Sequence, residues 1–393
     1  MDAAELVRRV SDAGLRGRGG GWFPTARKWQ AVRAEAGDAF RARESTAPVV
    51  VANGAEGEPG SIKDRHIMTT RPGDVLAGLR LAARAVGASE AFVYLKGSFS
   101  RPAAALEAAR DSAAGDGLTL TIHRGEDSYV AGEETAVLET LEGRRAWPRP
   151  KPPLPFAVGL AGRPTLVQNV ETLAHVGAAV ADPAGFRAGE TTLVSVWGHV
   201  CRPGVYEVRL GTPLRRIVDE QAGGSTHGLG LLFPAGPSAA PLRAAQADTP
   251  LDPDALRAAG SGLGTASLLV IGEHACPLAV AASLADFFER EACGQCPPCT
   301  MGTANLARIL RAVEAGEARA ADLGHLAEAA GFMAGHGYCA HSRTAAASVT
   351  GLLARCADDI AAHLAARGCP QPEGYVDPFA SGSAERTAIE SQA

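Results

Sequence analysis

Apolar positions along this chain recur in two periods, and the switches between those periods mark its elements. Helical spacing runs through 2–12, 25–36, 72–87 and 102–113. Short apolar runs at 48–52, 91–95 and 118–122 read as strands. Strands and helices that alternate in this way predict a parallel sheet with right-handed crossovers. A further helix is expected from 133 to 142, and another begins at Gln168-Asn169-Val170-Glu171-Thr172. The texture changes near residue 190. Residues 192–196 and 205–210 alternate with period two around Pro203-Gly204, which predicts a hairpin. A helix is expected at 213–221, a loop at 234–241 and a last strand at 266–271. Helical spacing then returns at 276–290, 303–315, 319–333 and 342–366. The final stretch, 369–393, is polar with Pro, Gly and Ser, and disorder is expected there. The expected organisation is therefore an α/β domain over 1–190, a small β-rich domain over 191–275, a helical domain over 276–368 and the tail.

Composition narrows the function classes. The chain has 393 residues, 46% of them hydrophobic, which is ample material for two or three buried cores. Its 38 basic and 43 acidic residues are spread out, so no basic patch marks a nucleic-acid partner. The N-terminus lacks a basic region leading into an apolar run, so no secretory signal is expected. No apolar run reaches the roughly 18 residues of a membrane span, so direct membrane insertion is not expected. A cytoplasmic location follows, and there clustered cysteines mean metal or redox chemistry more than disulfides.

Two stretches carry most of the chemistry. Cys293-Gly294-Gln295-Cys296-Pro297-Pro298-Cys299 presents three thiols at Cys-x2-Cys-x2-Cys spacing. A seven-residue loop cannot easily supply a fourth ligand from the opposite side. Cys339, in a glycine-rich break between helices, is the best candidate. Four thiolates suit a [4Fe-4S] cluster or a structural zinc, and the triple Cys with a remote fourth favours the cluster. The second stretch is Gly14-Leu15-Arg16-Gly17-Arg18-Gly19-Gly20-Gly21-Trp22-Phe23-Pro24-Thr25. Its glycines let backbone N–H groups approach a ligand closely. Arg16 and Arg18 add positive charge, and the helix that follows could face an anion. The alternative is a flexible loop with solvated arginines. No strand precedes Gly17-x-Gly19, so it is not a dinucleotide fingerprint.

Other polar residues sit where open α/β sheets bind ligands, just past a strand end: Asn53-Gly54-Ala55-Glu56-Gly57-Glu58-Pro59-Gly60. Glu133 and Glu134 open a helix. They either complement its dipole or accept ribose hydroxyls and repel a 2′-phosphate. Residues 147–155 are proline-rich and extended, either as a linker or to hold Lys151 over a pocket. Cys201, Cys276, Cys356 and Cys369 are isolated and read as structural thiols, with Cys276 near His274 a weak metal pair. His336 and His341 flank Cys339 and read as solvated loop residues rather than donors that tune a cluster.

Taken together and in order, these motifs resemble the family of NADH-binding flavoprotein subunits of bacterial respiratory complex I, which includes the diaphorase subunits of NAD-linked hydrogenases and formate dehydrogenases. The resemblance also rests on Lys28-Trp29, Lys63-Asp64-Arg65, Gly132-Glu133-Glu134-Thr135-Ala136, Lys151-Pro152-Pro153 and Asn169-Val170-Glu171-Thr172-Leu173, and on Phe287-Phe288-Glu289-Arg290-Glu291 leading into Cys293. It implies an FMN-binding α/β domain with a parallel sheet, a ubiquitin-like β-grasp domain and a C-terminal four-helix bundle holding a [4Fe-4S] cluster. It implies an NADH:acceptor oxidoreductase in which hydride passes to FMN and single electrons then leave through the cluster. Flavin contacts fall by position on Gly17, Gly19, Lys28, Asn53, Glu56, Tyr129, Gly132, Glu133, Glu134, Val167, Gln168 and Asn169, with Arg18 and Gly20 in the same cofactor-binding loop. Nicotinamide-nucleotide contacts fall on Phe23, Glu58, Glu134 and Lys151. Cluster ligands fall on Cys293, Cys296, Cys299 and Cys339. The implied partners are other electron-transfer subunits or a ferredoxin, which would hold the chain peripherally at the inner membrane.

Four positions depart from the family pattern. Ala55 replaces an Asp, Trp22 stands where Gly is usual beside the nucleotide cleft, Leu154 replaces a Phe, and Ala31 falls where some members carry an aromatic. Trp22 either supplies an aromatic face or obstructs the cleft. These departures motivate an alternative: a divergent electron-transfer subunit that has lost NADH binding and works with a ferredoxin or membrane reductase. A third reading is a zinc-stabilised assembly subunit.

Overall fold

The computed structural model describes residues 1–41, 47–112, 117–318, 320–369, 379 and 383–392. The chain forms two compact units. The first comprises Met1–Gly57 and Lys63–Thr191, and the second comprises Glu58–Ile62 and Thr192–Ala393.

In the first unit, helices α1 (Ala3–Asp12) and α2 (Thr25–Arg41) precede strand β1 (Val49–Asn53). Then come α3 (Lys63–Thr70), α4 (Pro72–Val86), β2 (Glu90–Lys96), α5 (Ser100–Ser112) and β3 (Thr119–Gly125). Helix α6 (Glu134–Leu141), strand β4 (Thr165–Asn169), α7 (Val170–Ala181) and α8 (Pro183–Ala188) complete it. The four strands form one parallel sheet in the order β3-β2-β1-β4. The alternating βα pattern thus produces the expected parallel sheet. The sequence reading missed β4, because it took Gln168 and Asn169 as a helix start. They are the last residues of a strand, and Asn169 then caps α7 by accepting from the N–H groups of Glu171 and Thr172.

Strands β1 and β4 and most of β2 are buried on both faces, as in parallel sheets generally, while the edge strand β3 is partly exposed. Val49, Val51 and Val167 pack with Tyr94, Leu160 and the α6 residues Val137 and Leu138. Successive side chains of a strand point to opposite faces, so Val50 and Ala52 face the helices of the other side. There α4 packs on α7 so closely that a Cβ on Gly78 would lie 1.8 Å from Leu173 O.

The main segment of the second unit carries β5 (Thr191–Gly198, whose first residue still belongs to the first unit) and β6 (Gly204–Arg209), then α9 (Leu214–Arg216), which widens into a π turn at Ile217–Gln221. Strands β7 (Leu231–Pro237) and β8 (Leu242–Arg243), helix α10 (Pro253–Ala258) and strand β9 (Ser267–Ile271) follow. Their sheet has the order β6-β5-β9-β7-β8, with β5 parallel and β7 antiparallel to β9. The loop expected from residue 234 is wrong for its first part: Pro234 to Pro237 belong to β7, whose residues are all buried. Helices α11 (Pro277–Arg290), α12 (Pro297–Glu314), α13 (Ala320–Ala334), α14 (His341–Arg355) and α15 (Ala357–Ala366) come next. The expected helix 342–366 is two helices, broken at Cys356. Most of the expected tail at 369–393 lies outside the described residues. Within it, α16 (Ala384–Glu390) is helical and Phe379 is buried. Among the described residues, no helix is long and apolar enough to cross a membrane.

Candidate functional site

The chain runs β1, β2, β3 in one direction across the first sheet, then returns to place β4 on the free side of β1. That reversal makes the carboxyl ends of β1 and β4 a topological switch point, where ligands bind in open α/β sheets. Asn53 is in register with Asn169, and Ala52 with Gln168.

The glycine-rich loop closes over these strand ends. Gly17 N–H donates to Phe23 O at 2.9 Å, and Thr25 N–H donates to Leu15 O at 2.9 Å. Gly20 has φ +105°, which favours glycine. Added Cβ atoms would lie 3.8 Å from Gln168 Nε2 at Gly17 and 3.1 Å from Asn169 Cβ at Gly19. The loop therefore lies against the end of β4. Gln168 is only 5% exposed, and its Oε1 has no hydrogen-bond partner among the described residues. Val167 is buried beside it in the strand.

Arg18 does not act as a solvated phosphate-binding arginine here. Its guanidinium is buried, lies 2.5 Å from Glu190 Oε1 and 4.0 Å from Glu171 Oε1, and donates to Arg16 O at 3.0 Å. Its backbone N–H donates to Thr172 Oγ1 at 2.7 Å. Trp22 also turns inward. It is 4% exposed, with the Arg18 guanidinium 4.4 Å from its ring centroid. Its φ is +48°, in the left-handed region. This backbone explains why glycine suits the position. The burial means that the ring neither offers an open aromatic face nor projects from the loop. Phe23, next to it, is 54% exposed.

A buried ion network fixes the helices behind the loop. Lys63 Nζ reaches Asp64 Oδ1 at 2.6 Å and Glu171 Oε2 at 2.8 Å. Burial opposes ionisation of Glu171, yet the charges of Lys63, His175 and Arg18 hold it well below the usual carboxylate range. Asn169 Nδ2 donates to Asp64 Oδ2 at 2.7 Å, tying the strand end to this network. Glu56 is buried too. Its carboxylate accepts from the N–H groups of Asp64 and Arg65 at 3.1 and 3.3 Å, which caps α3. Asn53 Nδ2 donates to Gly132 O at 2.8 Å. A Cβ on Gly132 would lie 2.4 Å from Ala55 O, and one on Gly57 would lie 3.0 Å from Tyr129 O. The segment 129–132 therefore sits tightly on the chain leaving β1.

Glu133 and Glu134 meet two lysines. Glu133 is the N-cap of α6, accepting from the N–H groups of Thr135 and Ala136 at 2.9 and 3.0 Å. Lys151 Nζ also donates to Glu133, and lies 3.2 Å from Glu134 Oε1. Lys28 Nζ donates to Glu134 Oε2 at 3.2 Å. Burial favours the neutral acid at Glu134, but the charges of Lys28 and Lys151 outweigh it and lower its pKa. Both of the residues that open α6 thus have cation partners, and Lys151 comes to them from the proline-rich segment.

In the second unit, Glu58 accepts from Ser238 Oγ at 2.6 Å. The thiol motif is not one loop throughout. Gly294 turns with φ +83°, and Pro297 and Pro298 open α12, so Cys299 sits buried in its first turn. Prolines are at home there because the first N–H groups of a helix have no partner inside it. Cys339 lies between α13 and α14. Burial and the thiols of Cys339, Cys296 and Cys293 push the Cys299 thiol up to about 12. His341 is not a solvated loop residue: it is buried, with Nε2 2.8 Å from Phe288 O. His336 is exposed and bonds to Phe332 O at 2.7 Å.

The comparisons define first a class. The Nuo51 FMN-binding domain family matches residues 10–178, and the NADH-ubiquinone oxidoreductase-F iron-sulfur binding region matches residues 279–363. The F 2 subunit of NADH-quinone oxidoreductase from Rhizobium meliloti (strain 1021) is 37% identical, over 93% of this chain and 90% of that protein. The F subunit of NADH-quinone oxidoreductase from Streptomyces coelicolor is 36% identical, over 99% of this chain and 88% of that protein. A chain of a crystal structure of NAD+-reducing [NiFe]-hydrogenase in the H2-reduced state superposes with a TM-score of 0.84 at 35% identity, covering 95% of this chain. This chain spans 64% of that hydrogenase chain. It belongs to the family of NADH-quinone oxidoreductase F subunits.

Proposed function

We propose that this protein is the electron-input subunit of an NADH:acceptor oxidoreductase, taking electrons from NADH and passing them singly to partner proteins. The observation that carries the reading is the β1/β4 switch point, where a bare-backbone loop lies beside the buried Gln168 Oε1, which has no hydrogen-bond partner among the described residues. A flavin offers N–H and hydroxyl groups to such an acceptor, and a side chain at Gly17 or Gly19 would crowd its seat. FMN fits these residues. Gly17, Gly19, Gly20, Asn53, Tyr129, Gly132, Val167, Gln168 and Asn169 would line its site, with Glu56 and Arg18 acting behind them. When bound, FMN accepts a hydride and returns electrons one at a time, which joins NADH to a one-electron carrier.

Lys28 and Lys151 orient Glu133 and Glu134 at the start of α6 and keep Glu134 ionised. Phe23, Glu134 and Lys151 would contact the nicotinamide nucleotide. Cys293, Cys296, Cys299 and Cys339 would hold a [4Fe-4S] cluster through their sulfurs. We read the five-stranded mixed sheet as a β-grasp fold and α11 to α14 as a four-helix bundle. The partners would be further electron-transfer subunits or a ferredoxin, with the chain cytoplasmic and membrane association left to those subunits. The inward Trp22 ring removes the main reason to infer a lost nucleotide site.

The test is an anaerobic titration of the FMN- and iron-reconstituted protein with NADH, and in parallel with NADPH, followed by flavin absorbance. Bleaching by NADH is expected. No bleaching by NADH, in protein that dithionite does reduce, would overturn the reading. Bleaching by both nucleotides would deny Glu133 and Glu134 a part in selecting NADH.

A further inference from the structure

Three of the four cysteines read as isolated lie in the helical part of the second unit, and two of them converge with a histidine. Cys276 precedes α11 as its N-cap, His363 lies in the last turn of α15, and Cys369 follows that helix. Their ligand atoms all lie within 4.8 Å of one another. No other trio of His, Cys, Asp or Glu does so among the described residues. The Cys276–His274 pairing suggested by sequence is not formed: His274 is exposed beside Glu273, and Cys276 turns to His363.

We propose that Cys276 Sγ, His363 Nδ1 and Cys369 Sγ form a second metal site, for a single thiophilic divalent ion of the zinc type. Three observations carry it. Cys276 Sγ lies 3.6 Å from His363 Nδ1. A tetrahedral zinc with ordinary Zn–S and Zn–N bonds sets those atoms roughly 3.6 Å apart. The imidazole is also preset. His363 Nε2 lies 3.0 Å from Glu314 O, and a carbonyl only accepts, so Nε2 carries the proton. The Nδ1 lone pair is then left toward the thiols, the arrangement by which a backbone carbonyl orients a metal-binding histidine. Finally, two of the ligands are buried, with His363 1% and Cys276 6% exposed, and Cys369 is half-buried beside them. Two thiolates and an imidazole are a zinc donor set, and three protein ligands leave a fourth position for water. Such an ion would fasten the start of α11 to the end of α15. It is independent of the cluster cysteines and of the function proposed above.

The experiment uses the full chain, produced with iron and zinc and purified anaerobically. Metal analysis should find about one zinc per chain besides the cluster iron, and Cys276→Ser/Cys369→Ser should drop zinc about tenfold while iron is retained. Cys293→Ser should do the reverse. The proposal is overturned if wild-type protein neither carries zinc nor takes it from added zinc chloride. It is also overturned if zinc follows Cys293 instead of Cys276, or if mass mapping of the anaerobic protein finds a Cys276–Cys369 disulfide. Should the double variant not fold, His363→Gln and cobalt loading of the wild type decide the matter. Cobalt bound with a thiolate charge-transfer band that His363→Gln lacks is expected, and no such band in the wild type overturns the site.

Discussion

At the residue scale, local backbone and local charge set what each position tolerates. Trp22 is the sharpest case. Its left-handed backbone costs about 1–2 kcal/mol for a non-glycine residue, whereas emptying a buried tryptophan site costs about 3–5 kcal/mol. Burial wins, so Trp22→Gly should destabilise the protein despite matching the usual family residue; urea unfolding of the two proteins would measure it. Gly132→Ala meets Ala55 O at 2.4 Å, with backbone on the opposing side. A loss of about 1–3 kcal/mol and weaker FMN retention are expected, read by thermal melting and by flavin content after gel filtration. Glu134 has its pKa lowered from 4.5 in the fold, against burial, by Lys28 and Lys151. Its stabilisation is therefore complete above the unfolded value and is lost as pH falls through the depressed folded value. Glu134→Gln should flatten the fall in melting temperature on the acid side, and an unchanged acid slope would count against this pairing.

At the element scale, two devices hold the site. Helices α3, α6 and α7 each have their free N–H groups capped by a side chain, Glu56 from the chain before α3, and Glu133 and Asn169 as the residues that open α6 and α7. These are also residues that the family resemblance assigns to the flavin. Capping and the proposed cofactor contacts thus share one location, because a helix start and a strand end meet there. Glu133→Ala should cost about 0.5–2 kcal/mol through the cap alone, before any effect on nucleotide binding. Comparing unfolding free energy with NADH affinity in Glu133→Ala and Lys151→Ala would separate the two effects. The other device is the close crossing of α4 and α7. Gly78→Ala places a methyl against Leu173 O, and only separation of the helices relieves it. That change should lower the melting temperature and loosen the Asn169 end of β4.

At the scale of the whole molecule, the chain divides its chemistry between two compact units. The flavin site is proposed in the first and the iron–sulfur site in the second. Removing iron by chelation should therefore lower the stability of the second unit while FMN remains bound, because metal-binding free energy is folding free energy for the segment that holds it. Flavin and iron contents measured on the same chelated sample would check this. Loss of both together would contradict the division.

Much of this organisation could be read from the chain itself. The βα alternation specified a parallel sheet because period-two and helical patterns cannot substitute for one another. The thiol spacing of Cys293, Cys296 and Cys299 pointed to a metal centre, because three thiols within seven residues can reach one centre without straining the chain. The order of the glycine, Asn53 and Glu133 motifs carried the family. Other features depended on residues far apart in sequence. Strand β4 was hidden because its five residues run straight into a helix, and only pairing with β1 makes them a strand. Arg18 could be read from the loop alone as facing an anion or solvent, and only the fold encloses it between Glu171 and Glu190. Trp22 could not be placed, because a local pattern does not say which way a loop side chain turns. Cys276, His363 and Cys369 are separated by most of a domain, and only the packing of α11 and α15 brings their ligand atoms together. Local periodicity and short motifs are written in the sequence; convergence across long loops is decided by tertiary packing.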